Sequence, residues 1–362
     1  MMLINRRYAA LTLSLALVSF SAHAQDLTID AGETYINSGT LTNDGTLTND
    51  GTLDNDGILN NSYALTNNGT LTNYNYGTLT NYDMLSNNGT LTNYNDLENQ
   101  GTLTNYDTLN NYDTLNNDVY GTLTNDGTLT NTYGSTLDND GTLDNLGTLN
   151  NEFGGTLTST GTLTNTGTVT NTATLTNDGS LNNDGSLNNS YALINNGALT
   201  STGTLTSTGT LTSTGTLTNT GTLTNYNDLE NQGTLTNYDT LNNTGTLDND
   251  VYGTLTNDGT LTNNYGTLTN DGTLDNTGTL DNDVYGTLDN NGILKNSYAL
   301  TNNGTLTNND TLTNYDMLSN NGTLTNNDTL NNNDTLTNYI YGTLTNNGTL
   351  DNDGTLTNYN DL

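Results

Sequence analysis

An aliphatic residue recurs every six positions along almost the whole of this 362-residue chain. Between Leu41 and Leu362 the register advances in 51 steps, and 43 of these steps are six residues long. Seven of the remaining steps contain two extra residues and one contains a single extra residue. A repeat this regular restricts the fold to an array of small stacked units, each of which buries its apolar side chain against its neighbours. No second domain interrupts the register.

The unit Thr-Leu-Thr, as in Thr40-Leu41-Thr42, is a short β signal. It directs one apolar side chain inward between two β-branched polar side chains that face outward. A six-residue period produces no 3.6-residue apolar stripe, so the pattern argues against helix. Proline is absent, which suits an uninterrupted ladder of strands. We therefore expect an all-β fold, a β-solenoid (β-helix) of tandem hexapeptides over residues 41–362.

Two further positions of the hexapeptide indicate structure. Asn stands two residues after most leucines, as at Asn43, and repeated copies can form a ladder of amide hydrogen bonds along the axis. The position four after Leu is usually Gly and is otherwise mainly Asp or Asn, as at Asp83. Because these residue types tolerate positive φ, this position predicts a left-handed corner. Ser replaces the ladder Asn at four positions, Ser159, Ser201, Ser207 and Ser213. Another residue type replaces the corner residue at Tyr63, Ala173, Tyr191 and Tyr298.

The longer steps indicate how many hexapeptides close one coil. Numbered from Leu41, the insertions follow repeats 6, 13, 15, 18, 34, 36, 39 and 48, and six of these eight numbers are multiples of three. Because insertions are tolerated where they loop outward from a corner, this clustering favours a triangular coil of three hexapeptides. The sequence favours neither hand of the coil.

The N-terminal residues have the pattern of a signal peptide. Arg6 and Arg7 form a basic segment, residues 8–20 are apolar, and Ala22-His23-Ala24 is a small-x-small cleavage site. The apolar segment is shorter than the ~20 residues that a membrane-spanning helix needs. We expect residues 1–24 to be removed on export, residues 25–40 to form an N-terminal cap, and no membrane span. A repeated phrase breaks off at Leu362, so we also expect a longer parent protein.

Charge and composition exclude several classes of function. The chain has 38 acidic residues against three Lys and Arg, which gives a net charge of −35. Such a surface repels nucleic acid and anionic membranes and attracts cations. Cysteine is absent, and the one histidine, His23, lies in the predicted signal peptide. The sequence therefore predicts a non-enzymatic protein with no catalytic residues and no cofactor.

Paired aspartates are the candidate metal ligands. Asp-x-Asp recurs at several corners, and oxygen-rich flexible edges suit Ca²⁺. The alternative is that these carboxylates are solvated corners that keep the protein soluble. The five pairs are Asp54 with Asp56, Asp138 with Asp140, Asp248 with Asp250, Asp281 with Asp283, and Asp351 with Asp353.

The insertions place aromatic residues beside glycine, as at Tyr76, Tyr120 and Tyr252. Exposed tyrosines at solenoid corners can stack on sugars or on another molecule of the same kind. They can equally fold back over the corner as packing. The sequence does not decide between these two interpretations.

The hexapeptide Gly45-Thr-Leu-Thr-Asn-Asp50 and its copies resemble the Gly-Thr-Leu-x-Asn repeats of bacterial surface β-solenoids. These are the passenger regions of autotransporter and haemagglutinin-type adhesins. The resemblance implies an exported protein at the bacterial cell surface, associated with the outer membrane. The acyltransferase chemistry of hexapeptide-repeat enzymes is not implied, because their catalytic histidine has no counterpart here.

The expected function is that of a structural and adhesive repeat protein that presents a polyvalent Thr, Asn and Tyr surface to glycans or to a host or neighbouring cell. One alternative is a self-assembling matrix or functional-amyloid fibre. An ice-binding solenoid is a further alternative. The Thr-Leu-Thr units divide almost evenly among the three predicted faces, however, so no single face is a pure threonine surface.

Overall fold

The four-residue unit Thr-Leu-Thr-Asn forms a strand at nearly every repeat, because its β-branched threonines suit extended backbone and its Leu and Asn alternate with them on the inner side. The computed structural model describes residues 21–359, with side chains from Asp26 onward. These residues form an all-β, parallel β-solenoid of about 18 coils, and none of them is helical. The predicted fold class is confirmed.

The strands within residues 21–359 are short and closely spaced. Their bounds are β1 (Ser21–Ile29), β2 (Thr34–Asn37), β3 (Thr40–Asn49), β4 (Thr52–Asn55), β5 (Ile58–Asn61), β6 (Ala64–Asn67), β7 (Thr70–Asn73), β8 (Thr78–Asn81), β9 (Met84–Asn87), β10 (Thr90–Asn93), β11 (Asp96–Asn99), β12 (Thr102–Asn105), β13 (Thr108–Asn111), β14 (Thr114–Asn117), β15 (Thr122–Asn125), β16 (Thr128–Asn131), β17 (Thr136–Asn139), β18 (Thr142–Asn145), β19 (Thr148–Asn151), β20 (Thr156–Ser159), β21 (Thr162–Asn165), β22 (Thr168–Asn171), β23 (Thr174–Asn177), β24 (Ser180–Asn183), β25 (Ser186–Asn189), β26 (Ala192–Asn195), β27 (Ala198–Ser201), β28 (Thr204–Ser207), β29 (Thr210–Ser213), β30 (Thr216–Asn219), β31 (Thr222–Asn225), β32 (Asp228–Asn231), β33 (Thr234–Asn237), β34 (Thr240–Asn243), β35 (Thr246–Asn249), β36 (Thr254–Asn257), β37 (Thr260–Asn263), β38 (Thr267–Asn270), β39 (Thr273–Asn276), β40 (Thr279–Asn282), β41 (Thr287–Asn290), β42 (Ile293–Asn296), β43 (Ala299–Asn302), β44 (Thr305–Asn308), β45 (Thr311–Asn314), β46 (Met317–Asn320), β47 (Thr323–Asn326), β48 (Thr329–Asn332), β49 (Thr335–Asn338), β50 (Thr343–Asn346), β51 (Thr349–Asn352) and β52 (Thr355–Asn358).

From β4 onward, each strand pairs in parallel with the strand three places later in the chain. In β10 and β13, for example, Thr90 lies opposite Thr108, an offset of 18 residues. Where a two-residue insertion intervenes, the offset becomes 20 and Leu still lies opposite Leu. Three strands therefore make one coil, and the insertions loop out without shifting the register. The triangular outline and the hand of the coil stay predictions.

The strands lie on three faces, which we name by their order in the coil. Face 1 contains β5, β8 and every third strand after them, and face 2 contains β6, β9 and every third strand after them. Face 3 contains β2, β4, β7 and every third strand up to β52. The long strand β3 contributes its first half to face 1 and its second half to face 2.

The interior consists of leucine columns and asparagine columns. From β3 to β49 the two outward positions of each strand are mostly half-buried, while Leu and Asn are almost fully enclosed. Leu91 and Leu109 are 0% exposed, and Val169 takes the place of a leucine in one strand. Burying a leucine contributes about 1.5–3 kcal/mol relative to leaving it exposed. The apolar half of the core is thus one Leu per strand.

The predicted asparagine ladder is confirmed. The Nδ2 of Asn55 donates to Oδ1 of Asn73 at 2.7 Å, and Asn73 in turn donates to Asn93 at 2.8 Å. The same Nδ2 of Asn55 also donates to the backbone oxygen of Thr78 at 3.0 Å, which ties one face to the next. Both amide hydrogens and the amide oxygen are therefore used, as a buried carboxamide requires.

The prediction of left-handed corners is wrong. Among residues 21–359, only Gly32, Gly134, Gly154 and Tyr265 have positive φ, and none of them lies in an uninterrupted hexapeptide corner. Glycine is favoured at a regular corner because the coils stack closely there. A Cβ added to Gly167 would lie 2.1 Å from the backbone oxygen of Gly147, one coil earlier. That distance is far inside van der Waals contact, so the constraint is space and not backbone handedness.

Asp and Asn corners have a different hydrogen-bond pattern from most glycine corners. At Gly167 the corner N–H donates to the backbone oxygen of Asn145 at 3.1 Å, and the N–H of Thr166 donates to the same oxygen. The corner N–H of Asp83 or Asp107 forms no such bond, although the preceding residue still donates. A corner with a Cβ therefore holds its backbone differently and loses one contact to the coil below.

The N-terminal segment joins the first coil through β1, which pairs with β3. This strand includes Ser21–Ala24, which the cleavage prediction assigns to the signal peptide, and it continues through Asp26–Ile29 of the predicted cap. Arg6, Arg7 and the apolar segment 8–20 lie outside the described residues. The boundaries of signal peptide, cap and repeat region stay predictions.

Candidate functional site

Most insertions lie on one edge of the solenoid. Six of the eight follow strands of face 3, namely β7, β16, β19, β37, β40 and β49. We call the edge formed by the turns after face 3 the insertion edge. The other two insertions follow β14 and β35, which both belong to face 1 and lie on a second edge, the face 1 edge.

Aromatic rings stack along the insertion edge. Tyr94 stacks on Tyr112 with ring centroids 4.8 Å apart, and Tyr74 stacks on Tyr94 at 6.2 Å. Further stacks join Tyr133 to Phe153, Tyr265 to Tyr285 and Tyr339 to Tyr359. Each of these rings stacks on its neighbour one coil away, so the insertion edge is partly packed by its own aromatic side chains. The packing is incomplete, since Tyr133 and Phe153 remain 75% and 66% exposed.

Four tyrosines at insertion tips form no ring stack. Tyr76 and Tyr341 lie on the insertion edge, and Tyr120 and Tyr252 lie on the face 1 edge. Each is 88–90% exposed, against 54–57% for regular corner tyrosines such as Tyr63. We call these four residues the tip tyrosines. They are the aromatic side chains whose ring faces are most open to a ligand.

The turn sequence Asp-Val-Tyr-Gly holds two of the tip tyrosines in place. In residues 118–121 the carboxylate of Asp118 accepts a hydrogen bond from the N–H of Val119 at 2.7 Å. The N–H of Gly121 donates to the backbone oxygen of Asp118 at 2.6 Å. Residues 250–253 repeat this arrangement, with the Val251 N–H 2.7 Å from the Asp250 carboxylate. Val and Tyr therefore project from a turn closed by two bonds.

A second, exposed polar ladder runs along the face 1 edge. The Nδ2 of Asn291 donates to the Asp271 carboxylate at 2.8 Å, and Asn309 donates to Asn291 at 2.7 Å. The column continues through Asn327 and Asn347, with bonds of 2.8 and 3.0 Å. We call this column the outer ladder. Sequence reasoning missed it, although a column of Asn at offsets of 18 and 20 residues is visible in the repeat.

The predicted aspartate pairs lie within single coils, one carboxylate on a strand and the other in the turn that follows. Burial raises the pKa of Asp54, and the neighbouring Asp56 raises it further. Burial is also the main cause of the raised pKa values of Asp138, Asp248 and Asp281. For Asp351 and Asp353 the structure shows the same strand-and-corner placement.

An acidic groove lies on face 1, next to the turn that carries Tyr120. Glu98, Asp118, Asp138 and Asp140 line it together with threonine and asparagine. A related set surrounds Asp248, whose pKa is raised by burial and then by Asp271, Glu230 and Asp228. Each of these two acidic groups lies next to one Asp-Val-Tyr-Gly turn. The linear sequence did not reveal this grouping, because it depends on which coils are adjacent.

Calcium binding stays a prediction. Ca²⁺ takes six to eight oxygen ligands, which a single Asp-x-Asp pair does not supply. Across residues 21–359, no three His, Cys, Asp or Glu side chains converge in a way that could hold a metal ion. Of the predicted pairs, the structure brings Asp138 and Asp140 into one groove with Asp118 and Glu98.

The haemagglutinin repeat family model matches this chain in three segments, residues 21–73, 240–297 and 293–362, which together cover just under half of it. No curated protein and no solved structure matches the chain. The part of the chain that the structure describes contains no helix long and apolar enough to cross a membrane. The repeat match and the parallel solenoid together fit a bacterial surface β-solenoid repeat protein.

Proposed function

We propose that this bacterial surface β-solenoid repeat protein is an exported, non-enzymatic adhesive rod whose tip tyrosines are its main contact points. Its partners are glycans or other components of a host or neighbouring cell surface. The proposal is supported by the haemagglutinin repeat match, which is typical of adhesin-like proteins. The single observation that carries it is the exposure of Tyr76, Tyr120, Tyr252 and Tyr341 on insertion turns.

The chemistry of tyrosine suits this role. A tyrosine ring offers a large apolar face for a pyranose ring, and its hydroxyl can hydrogen-bond at the same time. The surrounding surface contributes rows of half-buried Thr and exposed Asn, which supply further polar contacts. Because the chain is strongly acidic, neutral or amino sugars are expected to bind better than sialylated or sulfated ones.

The spacing of the tip tyrosines favours polyvalent contact. Tyr120 and Tyr252 follow strands of face 1 that are seven coils apart in the pairing order. At ~4.8 Å per coil, these two side chains are ~34 Å apart on the same edge. A rigid rod that presents several weak sites at fixed distances binds a repetitive surface by avidity, which multiplies the affinity of each site by ~10²–10⁴.

The experiment replaces all four tip tyrosines with serine and measures adhesion of purified protein to cells and to a glycan array. We expect the half-saturating concentration on cells to rise at least tenfold. The matched control replaces four tyrosines of insertion-free turns, Tyr63, Tyr191, Tyr238 and Tyr298, which are 54–57% exposed. Unchanged adhesion in the tip variant, or an equal loss in both variants, would contradict the assignment of the contact points.

Export is tested separately. Protease treatment of intact cells should degrade the rod, because a surface protein is accessible from outside. A variant that lacks residues 1–24 should stay in the cytoplasm. Protection of the full-length chain in intact cells would overturn the proposed surface location, whatever the adhesion assay shows.

A further inference from the structure

Four serines occupy positions of the inner asparagine ladders. Ser159, Ser201, Ser207 and Ser213 are each 0% exposed and end their strands where Asn ends the others. Each accepts a hydrogen bond from the Asn one coil earlier; for example, Nδ2 of Asn189 lies 3.2 Å from Oγ of Ser207. Ser201, Ser207 and Ser213 are consecutive, so they interrupt all three ladders within a single coil.

The asparagine that follows each serine is left with an unused oxygen. Oδ1 is buried and accepts no hydrogen bond from the protein in Asn177, Asn219, Asn225 and Asn231. These are the residues that pair directly with the four serines in the next coil. The same is true of two other ladder residues, Asn43 and Asn49, which are the first rungs of their ladders within residues 26–359. An asparagine that follows another asparagine has no such unused oxygen.

The serine hydroxyl does not replace the missing amide. A ladder amide donates both to the next Oδ1 and to a backbone oxygen beyond it, as Asn225 does to Asn243 and to Thr246. Serine has one proton, and in Ser207 that proton is donated to the backbone oxygen of Gly209 at 2.9 Å. An unpaired buried acceptor costs about 1–3 kcal/mol.

The coils do not close over the space that the shorter side chain leaves. Ser207 pairs with Asn225 in the same register as every Asn-on-Asn step, with Leu205 opposite Leu223. A serine side chain has two heavy atoms fewer than an asparagine side chain. The strand spacing is fixed by the backbone ladder, so the removed carboxamide leaves room for about one water molecule.

We propose that each of the four serine rungs binds one buried water molecule, so that the coil of Ser201, Ser207 and Ser213 contains three of these waters, one in each ladder. Each water takes the place of the missing amide. It donates to Oδ1 of the following asparagine and to the backbone oxygen that the amide would reach, and it lies beside the serine oxygen. Two to four polar partners are what a buried water needs.

The test counts long-lived internal waters by ¹⁷O magnetic relaxation dispersion of the purified full-length chain. The triple variant S201N/S207N/S213N supplies three amides and should lose three waters, and S159N should lose one. The control S190N changes an exposed turn serine and should lose none. A crystal structure of the wild-type chain should show a density peak within hydrogen-bond distance of Oδ1 of Asn225.

Two results would overturn the proposal. One is an equal water count in wild type, S159N and the triple variant. The other is a wild-type crystal structure whose serine coil is dry. Because S159N changes one rung that is remote from the serine coil, it remains decisive if the triple variant fails to fold.

Discussion

Asn308 and Asn309 are neighbours in the chain, and each is a rung of a hydrogen-bonded ladder, yet they lie in opposite surroundings. Asn308 is fully buried, and its Nδ2 donates to Oδ1 of Asn326 at 2.7 Å. Asn309 is exposed on the outer ladder, and its Nδ2 donates to Oδ1 of Asn291 at 2.7 Å. The distances are equal, so geometry does not distinguish the two bonds.

What distinguishes the ladders is access to water. A carboxamide in the inner ladder has no alternative partner, so a lost bond leaves buried polar atoms unpaired. A carboxamide in the outer ladder exchanges its neighbour for solvent at almost no cost. The same residue type, repeated at the same spacing, therefore stabilises the fold on the inside, whereas on the outside it forms surface hydrogen bonds that contribute little to stability.

The largest expected effect is that of Asn308→Ala. The substitution leaves Nδ2 of Asn290 and Oδ1 of Asn326 without their ladder partner, in addition to the bonds of Asn308 itself. We expect a loss of about 2–4 kcal/mol in local stability. Because the coils of a solenoid open in sections, the measurement is native-state hydrogen exchange of the amides in residues 305–326.

The matched variant Asn309→Ala should change the same exchange rates by less than about 0.5 kcal/mol. It removes one bond to Asn291 and one from Asn327, both on the surface. Equal effects of the two substitutions would show that water access is not what separates the inner ladder from the outer one.

The corner position, which follows the two ladder positions in the chain, gives the next largest effect. Gly167→Ala and Gly167→Asn both place a Cβ near the backbone oxygen of Gly147, and both should force the corner into the arrangement seen at Asp83. The cost is the N–H bond to Asn145, about 1 kcal/mol, and it should be equal for Ala and Asn. Hydrogen exchange of the Gly167 region is the measurement.

A left-handed corner would respond differently. Asn tolerates positive φ better than Ala, so a left-handed position would favour Asn over Ala by about 1 kcal/mol. A clear preference for Asn over Ala at residue 167 would support a left-handed corner, which the φ values of the regular corners contradict.

The sequence predicted what depends on one repeat and its copies. The inward Leu, the strand and the inner ladder all follow from a residue type that returns every six positions, as Leu91 and Asn93 do. The predicted corner conformation was wrong. Glycine is required both at positive φ and where two backbones approach closely, and a single sequence does not distinguish these two causes.

The remaining misses depend on which side chains become neighbours in adjacent coils. The Tyr94 and Tyr112 stack, the outer ladder at Asn309 and the groove at Asp138 each join residues that are 18 to 22 positions apart. Insertions change this offset from coil to coil. The pairing can be read from the sequence only after the coil length and the position of every insertion are fixed.

The smallest expected effect concerns half-buried carboxylates, whose exposure to water is intermediate between that of the inner-ladder and the outer-ladder asparagines. Burial raises the pKa of Asp138 and of Asp248, so the folded rod favours their protonated forms. A raised folded-state pKa contributes stability below the ordinary value of about 3.9, and this contribution is lost as the pH rises through the folded-state value. The urea midpoint should therefore be higher near pH 4 than at pH 7.

Asp138→Asn should reduce this difference in urea midpoint. Asn116→Asp, which adds a carboxylate between Glu98 and Asp138 in the groove, should enlarge it. A midpoint that falls on acidification in all three proteins would show that half-buried carboxylates behave as surface groups do, and that the contrast between the ladders does not extend to charge.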